Sequence, residues 1–260
     1  MTPALYRCFG RDEDSGNLAA VFSGAGVTAP TRLAQSQYPA TVFIDTPAPG
    51  HARLDFYYPG RRSPLCLHAS LAAAEWLFQQ TPERTELMLE SASSGVQFSA
   101  LRVQAKTQLR LQTQQAPSVH VSRADLLRFF PVDGAELSVL GVYSVGSPKL
   151  LLRCASTARL EALNPDLAAI LAWSEQHAVS GCYVVTELGE GSYQARNFNH
   201  REPAQEDHAT GVAAAALALA LGQNVAVRQG DRQGNPCQLH AHYRSDHVLL
   251  SGNCRRLKGA

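Results

Sequence analysis

Residues 208–221 have the sequence HATGVAAAALALAL, and residues 68–74, HASLAAA, begin in a similar way. His68 and His208 are 140 residues apart. A helix of such small side chains can be enclosed by a sheet on all sides without crowding. The two stretches therefore predict two central helices, over about 68–80 and 209–222.

Most of the remaining chain has the two-residue alternation of half-buried antiparallel strands. In residues 52–58, ARLDFYY, the side chains of Leu54, Phe56 and Tyr58 point to one face of the strand. Similar patterns predict strands over 41–45, 85–90, 96–103, 108–112, 137–144, 149–153, 182–186, 193–198, 238–243 and 247–250. A third helix should begin after Asn164-Pro165-Asp166, capped by Asn164, and end near His177.

These elements predict an α+β fold of two pseudo-symmetric halves. Each half would be a mostly antiparallel sheet or barrel wrapped around its central alanine-rich helix. The segment QQAPS, residues 114–118, has the polarity and proline of a linker. We therefore expect an N-terminal half over 1–116 with the helix 68–80, and a C-terminal half over 117–260 with the helix 209–222.

The composition argues against several classes of partner. Lys and Arg total 23 against 22 Asp and Glu, and a net charge as small as +1 gives no long-range attraction to nucleic acid or to anionic lipid. The longest apolar run, Val212 to Leu221, is ten residues, too short to span a membrane. No export signal is visible at Met1 to Gly10, and we expect a cytoplasmic protein.

Cysteine and histidine patterns give little support for a disulfide framework or a metal site. The six cysteines are scattered and none forms a C-x-x-C pair, so we expect reduced thiols. His240 and His242 share one face of a predicted strand, but two imidazoles without a third nearby ligand make a poor metal site. We expect neither a metal nor a cofactor.

Residues 24–29, GAGVTA, follow an apolar stretch, and Asp45 lies 21 residues after Gly24. This spacing is typical of a dinucleotide-binding fingerprint. However, Pro30 permits only a short helix, and alternating strands follow where crossover helices would be needed. A plain strand-turn-helix is favoured, and a nicotinamide oxidoreductase is the weakest functional hypothesis.

Further motifs resemble those of one enzyme family, in the family's order. They are SGNLAAVF (15–22), PLCLHASL (64–71), RNF (196–198) with EDHATGVA (206–213), and QG (229–230) with GNPC (234–237). The family patterns that these stretches resemble are G-N-P-x-A-V-F, P-F-x-G-H-P/A-T-L, A-R-x-F with E-D-P-A-T-G-S-A, and Q-G with G-R-P-S. The chain is similar to the PhzF-like isomerases and epimerases, relatives of diaminopimelate epimerase.

The resemblance implies a cofactor-independent isomerase or epimerase that moves a proton on a small amino- or hydroxy-carboxylic acid in a cleft between two barrel-like halves. It also implies a homodimer. Two helix N-termini facing a cleft would form a receptor for a carboxylate, so we expect a small anionic metabolite as substrate. The candidate substrate-binding residues are Asn17, Ser70, Thr210 and Gly211.

Four candidate catalytic residues follow from the same resemblance. Asp207 and His68 match site residues of the family. Cys66 and His208 fall where epimerases of this fold carry two cysteines that act as paired bases. This family register pairs Cys66 with His208, whereas the similarity between the starts of the two alanine-rich helices pairs His68 with His208.

The sequence also departs from the family pattern at four positions. Ala40 replaces the acidic residue that precedes T-F in the phenazine isomerase, and Leu67, Val212 and His208 replace Gly, Ser and Pro. A methyl group cannot carry a proton. The alternative function is therefore a catalytically degenerate relative that binds a metabolite or a partner without turnover.

Overall fold

The computed structural model describes residues 2–23, 31–32, 36–199 and 206–257. The chain divides into two compact units. Unit 1 comprises Met1–Leu111 and Leu249–Ala260, and unit 2 comprises Gln112–Val248.

Within the described residues, unit 1 contains one long helix and most of the strands. The strands are β1 (Ala4–Cys8), β2 (Asn17–Ser23), β3 (Thr41–Ala48), β4 (His51–Tyr58), β5 (Arg61–Ser63), β6 (Glu86–Ser91), β7 (Gln97–Val103), β8 (Lys106–Gln112) and β16 (Cys254–Arg256). The helix is α1 (Leu67–Gln80). The strand order is β16-β1-β2-β3-β4-β6-β7-β8, with β5 on β4, and only the pairs β2/β3 and β4/β6 are parallel.

Unit 2 contains four α-helices within its described residues. Its strands are β9 (Ser138–Tyr143), β10 (Lys149–Arg153), β11 (Cys182–Gly189), β12 (Ser192–Phe198), β13 (Val225–Gln229) and β14 (Cys237–Tyr243), while β15 (His247–Ser251) crosses the boundary of the units. Its α-helices are α2 (Arg123–Phe129), α3 (Thr157–Ala162), α4 (Leu167–His177) and α5 (Gly211–Leu221). The order is β9-β10-β11-β12-β13-β14, in which β10/β11 and β12/β13 are parallel.

Each unit has one alanine-rich helix packed against its sheet. In α5 every residue from Gly211 to Leu217 except Val212 is buried, and the helix packs against β14, β9, β10 and β13. The helix α1 packs against β1, β2, β3, β4, β7 and β16, with its Ala69 and Ala72–Ala74 buried. Side chains of methyl size allow this close enclosure. The mixed α+β class is confirmed, while the internal two-fold repeat stays a prediction.

Polar contacts tie the far end of α1 to its sheet. The Glu75 carboxylate accepts hydrogen bonds from the Arg102 guanidinium at 3.0 Å and from the Thr107 hydroxyl at 2.7 Å. The Tyr6 hydroxyl of β1 donates to the Gln79 amide at 3.1 Å. These bonds fix the rotation and height of α1, and with them the position of its N-terminus.

The opposite face of the unit 1 sheet carries an ion network around Asp55. Its carboxylate contacts Arg32 at 3.1 Å and Arg62 at 2.7 Å, and it accepts a bond from the Tyr57 hydroxyl at 3.2 Å. Arg32 also pairs with Asp45 at 2.8 Å. The Asp55 side chain is only 4% exposed, so its charge depends on these partners.

The structure differs from the sequence predictions in places. The last strand, β16, pairs with β1 and belongs to unit 1, whereas the predicted C-terminal half extended over 117–260. The helix α4 is capped by Asp166, whose carboxylate accepts from the Ala169 N–H, and not by Asn164. Residues 24–29 lie outside the described part of the chain.

The short elements were not predicted. Helices α2 and α3, and strands β1, β5, β13 and β16, are too short or too irregular for a clear period. Within the described residues, no helix has both the length and the apolar character required to cross a membrane.

Removal of the Asp55 carboxylate should destabilise unit 1. In Asp55→Ala two guanidinium groups lose a partner, one of them buried, and we expect the free energy of unfolding to fall by about 3–5 kcal/mol. Urea denaturation measures this loss. Asp45→Ala is the matched control, because its side chain is 35% exposed and should cost about 1 kcal/mol or less. Equal losses in the two variants would contradict the role given to Asp55.

Candidate active site

Cys66 and His68 come together at the N-terminus of α1. Cys66 is the N-cap residue and is 5% exposed, while His68 lies in the first turn and is half-buried. The Cys66 sulfur lies 3.5 Å from Nδ1 of His68. A thiol and an imidazole at this distance can exchange a proton, which gives the pair the means to act as a general base.

The surroundings favour the thiolate form of Cys66. Burial opposes ionisation, but attraction to His68, hydrogen bonds from His68 and Tyr58 and the nearby Ala69 N–H outweigh it. The pKa of the Cys66 thiol therefore lies below its usual value. The positive end of the α1 dipole acts in the same direction.

The loop before Cys66 is held by hydroxyl groups from the end of β6 and from the turn that follows it. Ser91 and Ser94 both donate to the Pro64 carbonyl, at 2.7 and 2.9 Å. The Ser63 hydroxyl donates to the next carbonyl, that of Leu65. The position of the thiol is therefore set by the sheet as well as by the helix.

Asn17 and Ser70 lie in the same region of unit 1. Asn17 is the first residue of β2, is 8% exposed, and pairs with Cys8 across the sheet. The Ser70 hydroxyl donates to the Cys66 carbonyl at 2.8 Å, so its predicted role in substrate binding competes with a local helix contact. Ala40 is 1% exposed and directly precedes β3.

Asp207 and Thr210 come together at the N-terminus of α5, in unit 2. Thr210 is the N-cap residue, and its hydroxyl donates to Asp207 Oδ2 at 2.6 Å. The second carboxylate oxygen of Asp207 accepts a longer bond from the Ala209 N–H at 3.4 Å. The half-buried carboxylate is thus oriented at the start of the helix, and Gly211 is the first helical residue.

Gln229 organises this part of unit 2. Its amide nitrogen donates to the Asp207 carbonyl at 2.6 Å and to the Thr210 hydroxyl at 3.1 Å. Its amide oxygen accepts from the Thr210 N–H at 3.2 Å and from the Tyr183 hydroxyl at 3.1 Å. Burial, together with the charge of Asp207, raises the pKa of Tyr183, which therefore stays protonated and donates.

An ion pair anchors the chain immediately before Asp207. The Arg196 guanidinium contacts both carboxylate oxygens of Glu206 at 2.8 Å and donates to the carbonyls of Leu160 and Leu163. Arg196 is 5% exposed. The motif pair RNF and EDHATGVA therefore contains a structural clamp that places Asp207 and Thr210.

His208 is half-buried and lies two residues before the α5 cap. Among the described residues, no hydrogen bond or ion pair involves its side chain. Its backbone packs closely on Gly230, whose φ is +86° and where a Cβ would lie 2.9 Å from the His208 oxygen. Only glycine suits this position of the QG motif.

The residues around the N-terminus of α1 and those around the N-terminus of α5 are called the two half-sites. The helix caps give a third way to align them. Cys66 caps α1 and Thr210 caps α5, so Cys66 corresponds to Thr210 and not to His208. The predicted pairing of Cys66 with His208 follows the family register, which differs from the helix-cap register by two residues, and it stays a prediction. The thiol's observed partner is His68.

Metal-binding residues do not gather in the described ranges. No group of three or more His, Cys, Asp or Glu side chains in residues 2–23, 31–32, 36–199 and 206–257 has the geometry to hold a metal ion.

Comparison with known protein families gives a match over nearly the whole chain. The family model described as "Phenazine biosynthesis-like protein" matches residues 6–257. The chain belongs to this family. The resemblance inferred from the four motifs is therefore confirmed.

Several known members and neighbours are isomerases or epimerases. The chain is 29% identical over 220 residues to trans-2,3-dihydro-3-hydroxyanthranilate isomerase of Pseudomonas aeruginosa, covering 78% of this chain and 76% of the relative. A PhzF-family protein of Bacillus anthracis has a TM-score of 0.80 at 17% identity, over 98% of this chain and 96% of its own. A hydroxyproline epimerase of Agrobacterium vitis, solved with trans-4-hydroxy-L-proline, has a TM-score of 0.60 at 12% identity, over 98% and 88%. At the level of enzyme class, the predicted isomerase is confirmed.

Sequence reasoning missed three residues that shape the half-sites. Gln229 was noticed only as part of a motif, and Tyr183 only as part of a strand. Tyr58 was predicted to lie on the same face of its strand as Leu54 and Phe56. This shared face is the signal that the Tyr58 side chain points toward α1. Hydrogen bonds between residues this far apart in sequence leave no local pattern. The group of hydrogen bonds around Gln229, called here the Gln229 hub, could therefore not be predicted.

The ionisation of Cys66 can be measured through the ultraviolet absorbance of its thiolate. Because the folded pKa is lowered, the thiolate should persist at pH values where an ordinary thiol is protonated. It should disappear only as the pH falls through the folded pKa. In His68→Phe the positive partner is lost, and the transition should move to higher pH. The ionisation of Cys66 should be the first thiolate transition seen as the pH rises, and Cys66→Ala should abolish it.

Cys182 provides the internal comparison for this titration. Burial raises its pKa to about 12, so it should stay protonated in the range where Cys66 ionises. A first transition that survives Cys66→Ala unchanged would show that another thiol carries it.

Replacement of Gln229 should disturb the α5 half-site. In Gln229→Leu the Tyr183 hydroxyl, the Thr210 N–H and the Asp207 carbonyl lose buried partners, and we expect a loss of at least about 2 kcal/mol in unfolding free energy. Chemical denaturation measures it. Gln238→Leu, a half-buried position on β14, is the matched control with a smaller expected loss. Similar losses in both variants would argue against the hub.

Proposed function

We propose that the protein is a cofactor-independent isomerase or epimerase that moves a proton on a small amino- or hydroxy-carboxylic acid held between the two units. The observation that carries the proposal is the Cys66 and His68 pair at the N-terminus of α1, with its lowered thiol pKa. Family membership and the isomerases and epimerases among its relatives support the reaction class.

The substrate carboxylate would be bound at the helix N-termini. Unpaired N–H groups and the positive end of the helix dipole favour an anion at such a position. Thr210 and Gly211 begin α5, and Asn17 and Ser70 lie near the start of α1. We propose these four as the substrate-binding residues.

The Cys66 thiolate would remove the proton from the carbon next to the carboxylate. The C–H electron pair then delocalises into the carboxylate or an adjacent double bond, and donors at the helix N-termini stabilise the developing charge. His68 stabilises the thiolate before the transfer and can take the proton from it afterwards. No redox step is required.

The proton would return from an acid of unit 2. Asp207 is oriented by Thr210, and His208 has no competing hydrogen bond among the described residues, so both are suited to this task. Return to the same carbon from the other side gives epimerisation, and return to a different carbon gives a shifted double bond. Asp207, His68, Cys66 and His208 are thus the proposed catalytic residues.

The second candidate is a protein that binds a small carboxylate without turnover. It is favoured by Ala40, a buried methyl group at the position where the resemblance places an acidic residue. The nicotinamide oxidoreductase stays the weakest hypothesis, and Asp45, the acidic residue of its fingerprint, forms an ion pair with Arg32 at 2.8 Å.

Proton NMR in D₂O tests the two candidates. A panel of small amino and hydroxy acids, including trans-4-hydroxy-L-proline and trans-2,3-dihydro-3-hydroxyanthranilate, is incubated with the protein. We expect one compound to lose its exchangeable C–H signal. Cys66→Ala and Asp207→Asn should reduce the exchange rate by about 100-fold or more. Cys154→Ala, a buried thiol of unit 2, is the matched control and should retain it.

The outcomes separate the proposals. Exchange that persists in Cys66→Ala would refute the proposed base. A compound that raises the thermal unfolding midpoint without any exchange would favour the binding protein. A homodimer and a cytoplasmic location remain predictions of the sequence.

A further inference from the structure

Two cysteines face each other across the first and last strands of unit 1. The register of β1 and β16 places Cys8 directly opposite Cys254, and their sulfur atoms lie 3.4 Å apart. Neither thiol has a role in the proposed function. The cysteines of unit 2, Cys154, Cys182 and Cys237, are buried.

The position within the ladder suits a covalent bridge. The flanking residues carry the interstrand hydrogen bonds, from the Phe9 N–H to the Asn253 carbonyl at 2.6 Å and from the Leu257 N–H to the Leu5 carbonyl at 2.8 Å. Cys8 and Cys254 therefore form a non-hydrogen-bonded pair, in which the Cα atoms are about 4.5 Å apart. A disulfide accepts Cα separations from about 4.4 Å and needs its sulfur atoms about 2.05 Å apart. Small side-chain rotations can close the gap.

The two thiols differ in access. Cys8 is fully buried, whereas Cys254 is half-buried and can meet a small reagent. Burial and the neighbouring Cys254 raise the pKa of Cys8, which makes Cys8 a poor initiator. Cys254 is the point of entry.

We propose that Cys8 and Cys254 form a reversible disulfide when the protein meets a small-molecule disulfide such as oxidised glutathione. The Cys254 thiolate attacks the small disulfide, forms a mixed disulfide and releases one small thiol. The Cys8 thiol then gives its proton to water, and its sulfur attacks Cys254 and displaces the second small thiol. Two protein thiols are oxidised, and one small disulfide is reduced to two thiols.

The bridge would act beside the α1 half-site. Cys8 of β1 pairs with Asn17 of the neighbouring strand β2. The charge of Cys66 is close enough to affect the ionisation of Cys8. The bond would also join positions 246 residues apart. Closing so long a loop restricts the unfolded chain strongly.

The test uses the full chain treated with oxidised glutathione under native conditions, followed by alkylation and tryptic mass spectrometry. We expect Cys8-Phe9-Gly10-Arg11 linked to the peptide from Ser245 to Arg255, and the link should disappear after a reductant. The thermal unfolding midpoint should rise by at least about 5 °C on oxidation. Cys182→Ser is the matched control and should form the same link.

Cys8→Ser and Cys254→Ser should each lose both the link and the rise in midpoint. In Cys8→Ser we expect glutathione to remain on Cys254. Glutathione that remains on Cys254 in the unaltered protein, or a link from Cys8 to Cys66, would overturn the proposal. A linked peptide without a change in midpoint would also overturn it, because the bridge would then not form in the native fold.

Discussion

The enclosure of an alanine-rich helix by a sheet is the constraint on which the rest of this structure depends. A helix as apolar and narrow as α5 is stable only when strands cover it, and strands approach it only when its side chains are of methyl size. This packing buries the helix body, so the N-terminus is the part left to meet a ligand. In both units candidate site residues lie there, with Cys66 and Thr210 as the N-cap residues.

The two helix starts are chemically unlike. One carries a thiol and an imidazole, and the other carries a carboxylate held by a hydroxyl and a buried amide. Their supports also differ, since hydroxyl groups of Ser91 and Ser94 fix the first, while the Arg196 and Glu206 ion pair fixes the second. Such asymmetry suits a reaction in which one group removes a proton and another returns one.

Strand alternation, the alanine runs and the motif order were enough to predict the fold class, both central helices and the position of Cys66, His68, Asp207 and Thr210 beside the helix starts. The cap at Asp166 was missed because Asn164 is also an acceptable capping residue, and the tertiary fold selects between the two. The pairing of β16 with β1 was missed because the tertiary fold also selects which strand so short a segment joins. The hub at Gln229 joins Tyr183, Asp207 and Thr210 from three separate segments. Local periodicity predicts neither such a contact nor the partner of the Cys66 thiol.

The pairing of β1 with β16 has a consequence for the order of folding during synthesis. Unit 2 is continuous in sequence, so all of its residues are available once Val248 has left the ribosome. Unit 1 lacks β16 until residues 254–256 emerge, so β1, which already pairs with β2, waits for its second neighbour until about 246 more residues have been translated. Unit 1 therefore begins before unit 2 but is completed after it, and a deletion of β16 alone would affect the unit that the N-terminal strands form.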